Sequence, residues 1–181
     1  MARMSHANPD NNTVLSRTYA RITETRGYVS NVLKTFSHAP EGLERFAAMG
    51  EYVRYHNALE SRTREFAILT IARGIQYAWT HHVTPALKAG LTQAELDTFN
   101  TGRVPESASP AERAAIAFAG EFANGGQVSD ATFAEARKHL SERQVTDLAL
   151  TCGYFIALGF SVNAFQVDLE SDRKPLMQPV A

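Results

Sequence analysis

The chain has 181 residues, 44% of them apolar and 20% charged, a size at which one domain of ordinary dimensions buries roughly 70% of the surface its unfolded form exposes. That composition excludes a disordered chain, and a net charge of -1 with a pI near 6.6 supplies no broad basic field for nucleic acid. A single cysteine, Cys152, excludes an intrachain disulfide framework and suits a reducing cytoplasm.

Residues 1–12 contain Pro9 and three asparagines but no apolar run of the kind a secretory signal requires, and they read as a flexible N-terminal arm. From there the punctuation is helical, with helices expected near 13–26, 30–36, 40–57, 61–74, 75–89, 92–99, 109–124, 130–139 and 141–167. Pro40-Glu41 opens a helix whose apolar positions Leu43, Phe46, Ala47, Met49 and Val53 follow helical spacing. Thr92-Gln93-Ala94-Glu95, Ser109-Pro110-Ala111-Glu112 and Ser141-Glu142-Arg143-Gln144 each place a hydroxyl three residues before a glutamate or glutamine, the signature of a capped helix start. Gly74, Gly90, Gly102 and the Gly125-Gly126 pair fall where helices should stop.

Strand signals are nearly absent: there is no Asn-Gly or Asp-Gly hairpin turn and no sustained alternation of apolar and polar residues. The expected fold is therefore all-α, a single helical domain over 13–170 followed by a tail, 171–181, that drapes over the surface or over a neighbouring subunit. The uncharged run from Leu148 to Val167 is long enough for a bilayer span. Its Thr151, Gly153, Gly159, Ser161, Asn163 and Gln166 favour a central core helix, or one shared with a second subunit, and no membrane partner is expected.

The chemistry concentrates in Arg64-Glu65-Phe66-Ala67-Ile68-Leu69 and Tyr77-Ala78-Trp79-Thr80-His81-His82, which put an acid, an indole and two imidazoles on consecutive helices. Adjacent histidines on a helix point about 100° apart, so His81 and His82 cannot both serve one small site. A carboxylate on one imidazole nitrogen fixes the tautomer and leaves the other nitrogen to move a proton. No His-x-x-x-His or Glu-x-x-His pair lies on one helical face, so no metal is expected. The bland alternative is that Glu65 caps or pairs across helices, Trp79 is core and His82 donates to a backbone carbonyl in a bundle that works only as an assembled scaffold.

These segments, with Ala86-Leu87-Lys88-Ala89-Gly90-Leu91-Thr92 and the upstream Ser37-His38-Ala39-Pro40-Glu41-Gly42-Leu43, resemble the carboxymuconolactone decarboxylase family, which includes the alkylhydroperoxidase D-like proteins. The likeness is clearest from Val29 to Gly90. It implies a compact helical subunit assembled as a dimer, trimer or hexamer, acting on a small-molecule substrate with no cofactor. The hydroperoxidase branch carries a Cys-x-x-Cys pair that, aligned on His82, would occupy Ile75 and Ala78, so the thiol cycle has no sulfur there. Another branch carries a carboxylate four residues before the histidine, where this chain again has Ala78. The family chemistry then implies a decarboxylating, carbon–carbon lyase-like enzyme of aromatic-compound catabolism, with His82 and Glu65 catalytic and Trp79, Tyr77, His81 and Arg73 around the substrate. Arg62, Arg64 and Arg73 are the cations nearest in sequence for holding an acid, Arg73 nearest of all. A ligand-binding helical oligomer without turnover and a hydroperoxide-reducing antioxidant protein are the alternatives.

Overall fold

The computed structural model describes residues 2–177, and among them the secondary structure is helical throughout. The α-helices are α1 (Thr13–Arg26), α2 (Asn31–Lys34), α3 (Pro40–Glu51), α4 (Ser61–Ala72), α5 (Gln76–Lys88), α6 (Gln93–Asn100), α7 (Pro110–Ala123), α8 (Asp130–His139) and α9 (Glu142–Phe165). Each helix that the punctuation predicts is present. Two differ in form: the helix expected over 40–57 widens after Glu51 into a π turn, Tyr52–His56, that carries Val53 fully into the interior, and the helix expected over 30–36 tightens after Lys34 into a 3-10 turn, Thr35–His38.

The ends follow from local chemistry. Asn12 accepts the Leu15 N–H to start α1, and Gly27 stops it at a φ of +80° that an L side chain rarely adopts. Thr92 with Glu95, and Ser109 with Glu112, close reciprocal capping boxes at the starts of α6 and α7. Ser141 and Gln144 bond each other's backbone in the same way before α9.

The chain divides into two compact units. The first comprises residues up to His56 together with Phe160–Arg173. Within it α1 packs on α3, and Phe36 lies edge-on to Phe46 and Phe165, with ring centroids 5.1 and 6.4 Å away. The segment expected as an arm is hydrogen-bonded in this unit: Arg3 N–H donates to the Phe165 carbonyl at 2.8 Å and Ala7 N–H to Ser37 Oγ at 2.8 Å.

The second unit comprises Asn57–Gly159 and the chain from Lys174 onward. Its centre is α4, packed along α7 and α5 and buried at Thr63, Glu65, Phe66, Ala67, Ile68, Leu69, Ile71 and Ala72. Burial on nearly every side of its second half follows from the run Phe66-Ala67-Ile68-Leu69-Thr70-Ile71-Ala72, apolar at all but one position. Phe66, Leu69, Trp79, Val83, Ala86, Leu91, Leu96, Phe99 and Ile116 form its apolar cluster. Of the tail 171–181, residues 178–181 lie outside the described residues. Leu176 N–H donates to Thr80 Oγ1 at 3.1 Å, and Met177 packs against the apolar cluster.

α9 has the length and composition to cross a bilayer. In the fold it buries Val145, Leu148, Thr151, Cys152, Tyr154, Phe155, Leu158 and Val162. Asp147 is 1% exposed and accepts the Ala58 N–H at 2.8 Å and Arg143 Nε at 3.2 Å. A buried, doubly bonded carboxylate is the environment of a packed core helix.

Candidate functional site

α4 and α5 run consecutively through the turn at Gly74, and this connection sets Glu65 against His82. His82 Nδ1 lies 3.0 Å from Glu65 Oε2, with the histidine 3% and the glutamate 6% exposed. A carboxylate can only accept, so Nδ1–H donates and the proton of a neutral ring resides on Nδ1. Nε2 is then the ring's basic nitrogen. The face of the imidazole is fixed from α9 by Phe155, edge-on with centroids 4.8 Å apart.

His81 turns elsewhere, as the 100° offset between neighbours requires. Its Nδ1 donates to the Tyr77 carbonyl at 2.8 Å and its ring stacks on that of Tyr77 at 4.2 Å. Tyr77 is itself buried. Trp79 is 2% exposed and stacks at 6.5 Å on Phe99 inside the apolar cluster. Ala78, one turn before His82, is buried and brings neither thiol nor carboxylate. Structure therefore joins Glu65 with His82, pairs His81 with Tyr77, and sets Trp79 among core side chains.

The three arginines have distinct environments. Arg73 is exposed at the end of α4, its guanidinium 4.6 Å from the Phe99 ring centroid, and partial desolvation pulls its pKa down from a value far above neutrality. Arg62 bonds the Gly90 carbonyl and, at 2.9 Å each, Glu95 and Glu112, the two carboxylates that hold its pKa above the usual arginine range. In return Arg62, followed by Ser107 and Thr92, depresses the Glu95 pKa to about 2. Arg64 reaches only neutral oxygens, Asn57 Oδ1 and Ser61 Oγ, both at 3.4 Å, and its Nε is buried without a hydrogen-bond partner among the described residues.

The Arg62 network is absent from the sequence reading. Both capping glutamates were legible, but not that each turns its second oxygen onto one arginine. An open cleft of about 810 Å³, lined among others by Arg62, Gly90, Glu95, Arg103 and Ser107, lies over this ion pair and not over His82. Cys152 is fully buried on α9, and desolvation pushes its thiol up to about 12. Among the described residues, no group of three His, Cys, Asp or Glu side chains is arranged to hold a metal ion.

Residues 40–121 match the model of the carboxymuconolactone decarboxylase family. No curated protein matches the chain. Among solved structures, the chain is similar to an uncharacterized peroxidase-related protein with an alkylhydroperoxidase AhpD core from Ralstonia eutropha JMP134, at TM-score 0.78 and 18% identity over 94% of this chain and 93% of that one. An uncharacterized peroxidase-related protein from Silicibacter sp. TM1040 gives TM-score 0.78 and 19% identity over 94% and 93%. The debrominase Bmp8 in complex with 2,3,4-tribromopyrrole gives TM-score 0.75 and 18% identity over 93% and 91%. At such identities the likeness establishes the fold. Residues 40–121 thus carry the match to the carboxymuconolactone decarboxylase family, and the chain has an AhpD-like fold.

Proposed function

We propose that the protein is a cofactor-free acid–base enzyme of the lyase type, acting on a small carboxylated or lactone-like molecule, with His82 moving the proton and Glu65 positioning it. One observation carries this reading: a buried imidazole whose Nδ1 is held at 3.0 Å by a buried carboxylate. That bond fixes the tautomer, makes Nε2 the basic nitrogen of the ring, and stabilises the imidazolium that must form when Nε2 is protonated.

In a decarboxylation the bond from carbon to the carboxylate breaks and its electron pair passes into a conjugated lactone carbonyl. Carbon dioxide departs, and the resulting dienolate takes a proton at carbon from His82 Nε2–H. Water then restores the proton to the ring. Such a step needs no redox partner, and a setting as dry as that of Glu65 and His82 strengthens each electrostatic contact within it.

Names among the structural neighbours invite a thiol-based peroxidase reading. Against it stand Ile75 and Ala78 at the positions a Cys-x-x-Cys pair would take, and Cys152 with its pKa at about 12, a thiol that carries almost no thiolate at neutral pH. The working form we propose is a cytoplasmic homo-oligomer.

The test is turnover of carboxymuconolactone and related carboxylated lactones, followed by carbon dioxide release, in wild type, His82→Gln and Glu65→Gln. Loss of about 10²–10⁴-fold in His82→Gln, with folding intact, is the expected result. Unchanged turnover in that variant, or no turnover by wild type across the series, rejects the reading.

A further inference from the structure

α1 and α3 pack against each other in the first unit and leave between them a cavity of about 90 Å³. Ala47 and Ala48 of α3 line it together with Thr18 and Ile22 of α1. Two ion pairs that also line it bridge the helices, Arg17 Nη2 to Glu44 Oε1 at 2.6 Å and Arg21 Nε to Glu51 Oε2 at 3.0 Å. The bond from Arg21 lowers the pKa of Glu51, so that wall of the cavity is a carboxylate at neutral pH.

Two side chains of the lining carry polar atoms that are buried and find no hydrogen-bond partner among the described residues, Thr18 Oγ1 and Arg26 Nη2. Thr18 is 4% exposed. Thr25, Thr70, Thr98, Thr146 and Thr151 each return their hydroxyl to the carbonyl one turn earlier, and Thr18 does not. Arg26 takes part in neither ion pair, so the lining carries three cations against two anions. Buried donors are paired in folded proteins, and a guanidinium can pair only with an acceptor.

The cavity exceeds the roughly 10–15 Å³ that one water needs and falls short of the roughly 150 Å³ that holds benzene, so it suits an ion of about five non-hydrogen atoms. A surplus positive charge with two unmet groups, a guanidinium N–H and a hydroxyl, selects an oxyanion. The carboxylates select further. Each arginine takes one oxygen of its glutamate, and a carboxylate has about four lone-pair sites. They repel a bare dianion and accept from an oxyanion that has a hydroxyl of its own. We infer that this cavity binds a small oxyanion that carries a proton, hydrogen phosphate being the type, with its oxygens on Arg26 and Thr18 and its hydroxyl on Glu44 or Glu51. The site lies within the first unit and does not depend on the reading of His82.

Isothermal titration of the full chain with inorganic phosphate at neutral pH and fixed ionic strength, beside sulfate and phenyl phosphate, is the test. Sulfate has the same tetrahedral shape and no proton, and wild type is expected to bind phosphate at least about tenfold more tightly. Arg26→Gln is expected to weaken phosphate about tenfold or more, and Thr18→Val, which keeps the shape and removes only the hydroxyl, about threefold or more. Thr18→Val loses a hydroxyl that has no partner, so in phosphate-free buffer its thermal midpoint is expected to equal or exceed that of wild type. Should Arg26→Gln not fold, Arg26→Lys keeps the charge without the forked donors and is expected to weaken phosphate about threefold or more. His82→Gln is expected to bind as wild type does. Phenyl phosphate, whose ring the cavity cannot hold, is expected not to bind. No binding of phosphate by wild type overturns the inference. So do equal affinities for phosphate and sulfate, binding of phenyl phosphate as tight as that of phosphate, or an affinity unchanged in the Arg26 and Thr18 variants.

Discussion

Glu65 and His82 are 17 residues apart in the chain and 3.0 Å apart in the fold, each withdrawn from water and each fixed by the other. Removing one partner leaves a buried polar group unsatisfied, which costs more than the bond contributes when made. Glu65→Ala is expected to destabilise the protein by about 1–3 kcal/mol, and Glu65→Gln, whose amide oxygen still accepts from Nδ1, by less. Urea unfolding of both variants and of the double variant with His82→Ala measures the coupling. Additive effects would show that the pair does not interact.

Glu95 couples stability to acid. Its pKa lies at about 2, below the ordinary carboxylate value of 4.5, because Arg62 and then Ser107 and Thr92 bond its charged form. The unfolded chain therefore binds this proton first as pH falls. The contribution is complete above about pH 4.5 and drains away as pH drops toward 2. The urea midpoint of wild type is expected to fall across that window, and Glu95→Gln to show a shallower slope. Parallel slopes would remove Glu95 as the cause.

Cys152 should be chemically silent in the native protein. A thiol with its pKa at about 12 holds roughly a thousandth of the thiolate of an ordinary one at pH 8, and its side chain is also out of reach. Labelling by iodoacetamide, read by intact mass, is expected to be at least about 100-fold slower in buffer than in urea. Fast native labelling would reopen the thiol reading.

Gly159 on α9 lies against Ile75, the residue before α5. An added Cβ would sit 2.7 Å from Ile75 Cδ1. Alanine is worth about 1 kcal/mol over glycine inside a helix, and overpacking costs about 1–3 kcal/mol. Gly159→Ala alone is expected to destabilise by about 1 kcal/mol, and in an Ile75→Val background, which removes Cδ1, to become neutral or stabilising. Thermal unfolding of the four proteins decides it, and equal effects in both backgrounds would place the clash elsewhere.

Helix starts were legible because capping is local: Thr92, Ser109 and Ser141 each bond a backbone group within three residues, so spacing alone reveals them. The turn at Tyr52–His56 was not, because the apolar spacing through Val53 reads the same in an α-helix and in a wider turn. The divergent directions of His81 and His82 follow from helical geometry, but which of them meets a carboxylate depends on how α4 lies against α5. Sequence proximity favoured Arg73 as the acid-holding cation. The fold sets its guanidinium at the surface, 4.6 Å from the Phe99 ring centroid, a contact that helical spacing does not reveal.

By itself the sequence determined an all-α chain, the places where its helices begin, and the absence of sulfur at Ile75 and Ala78, since these are matters of composition and of contacts within one turn. Only the tertiary structure decided that Glu65 meets His82, that Trp79 fills a core, and that Glu95 and Glu112 turn from their own helix starts onto Arg62. Such pairings depend on the packing of helices far apart in the chain, where a shift of one residue rotates a side chain by about 100° and exchanges its partner.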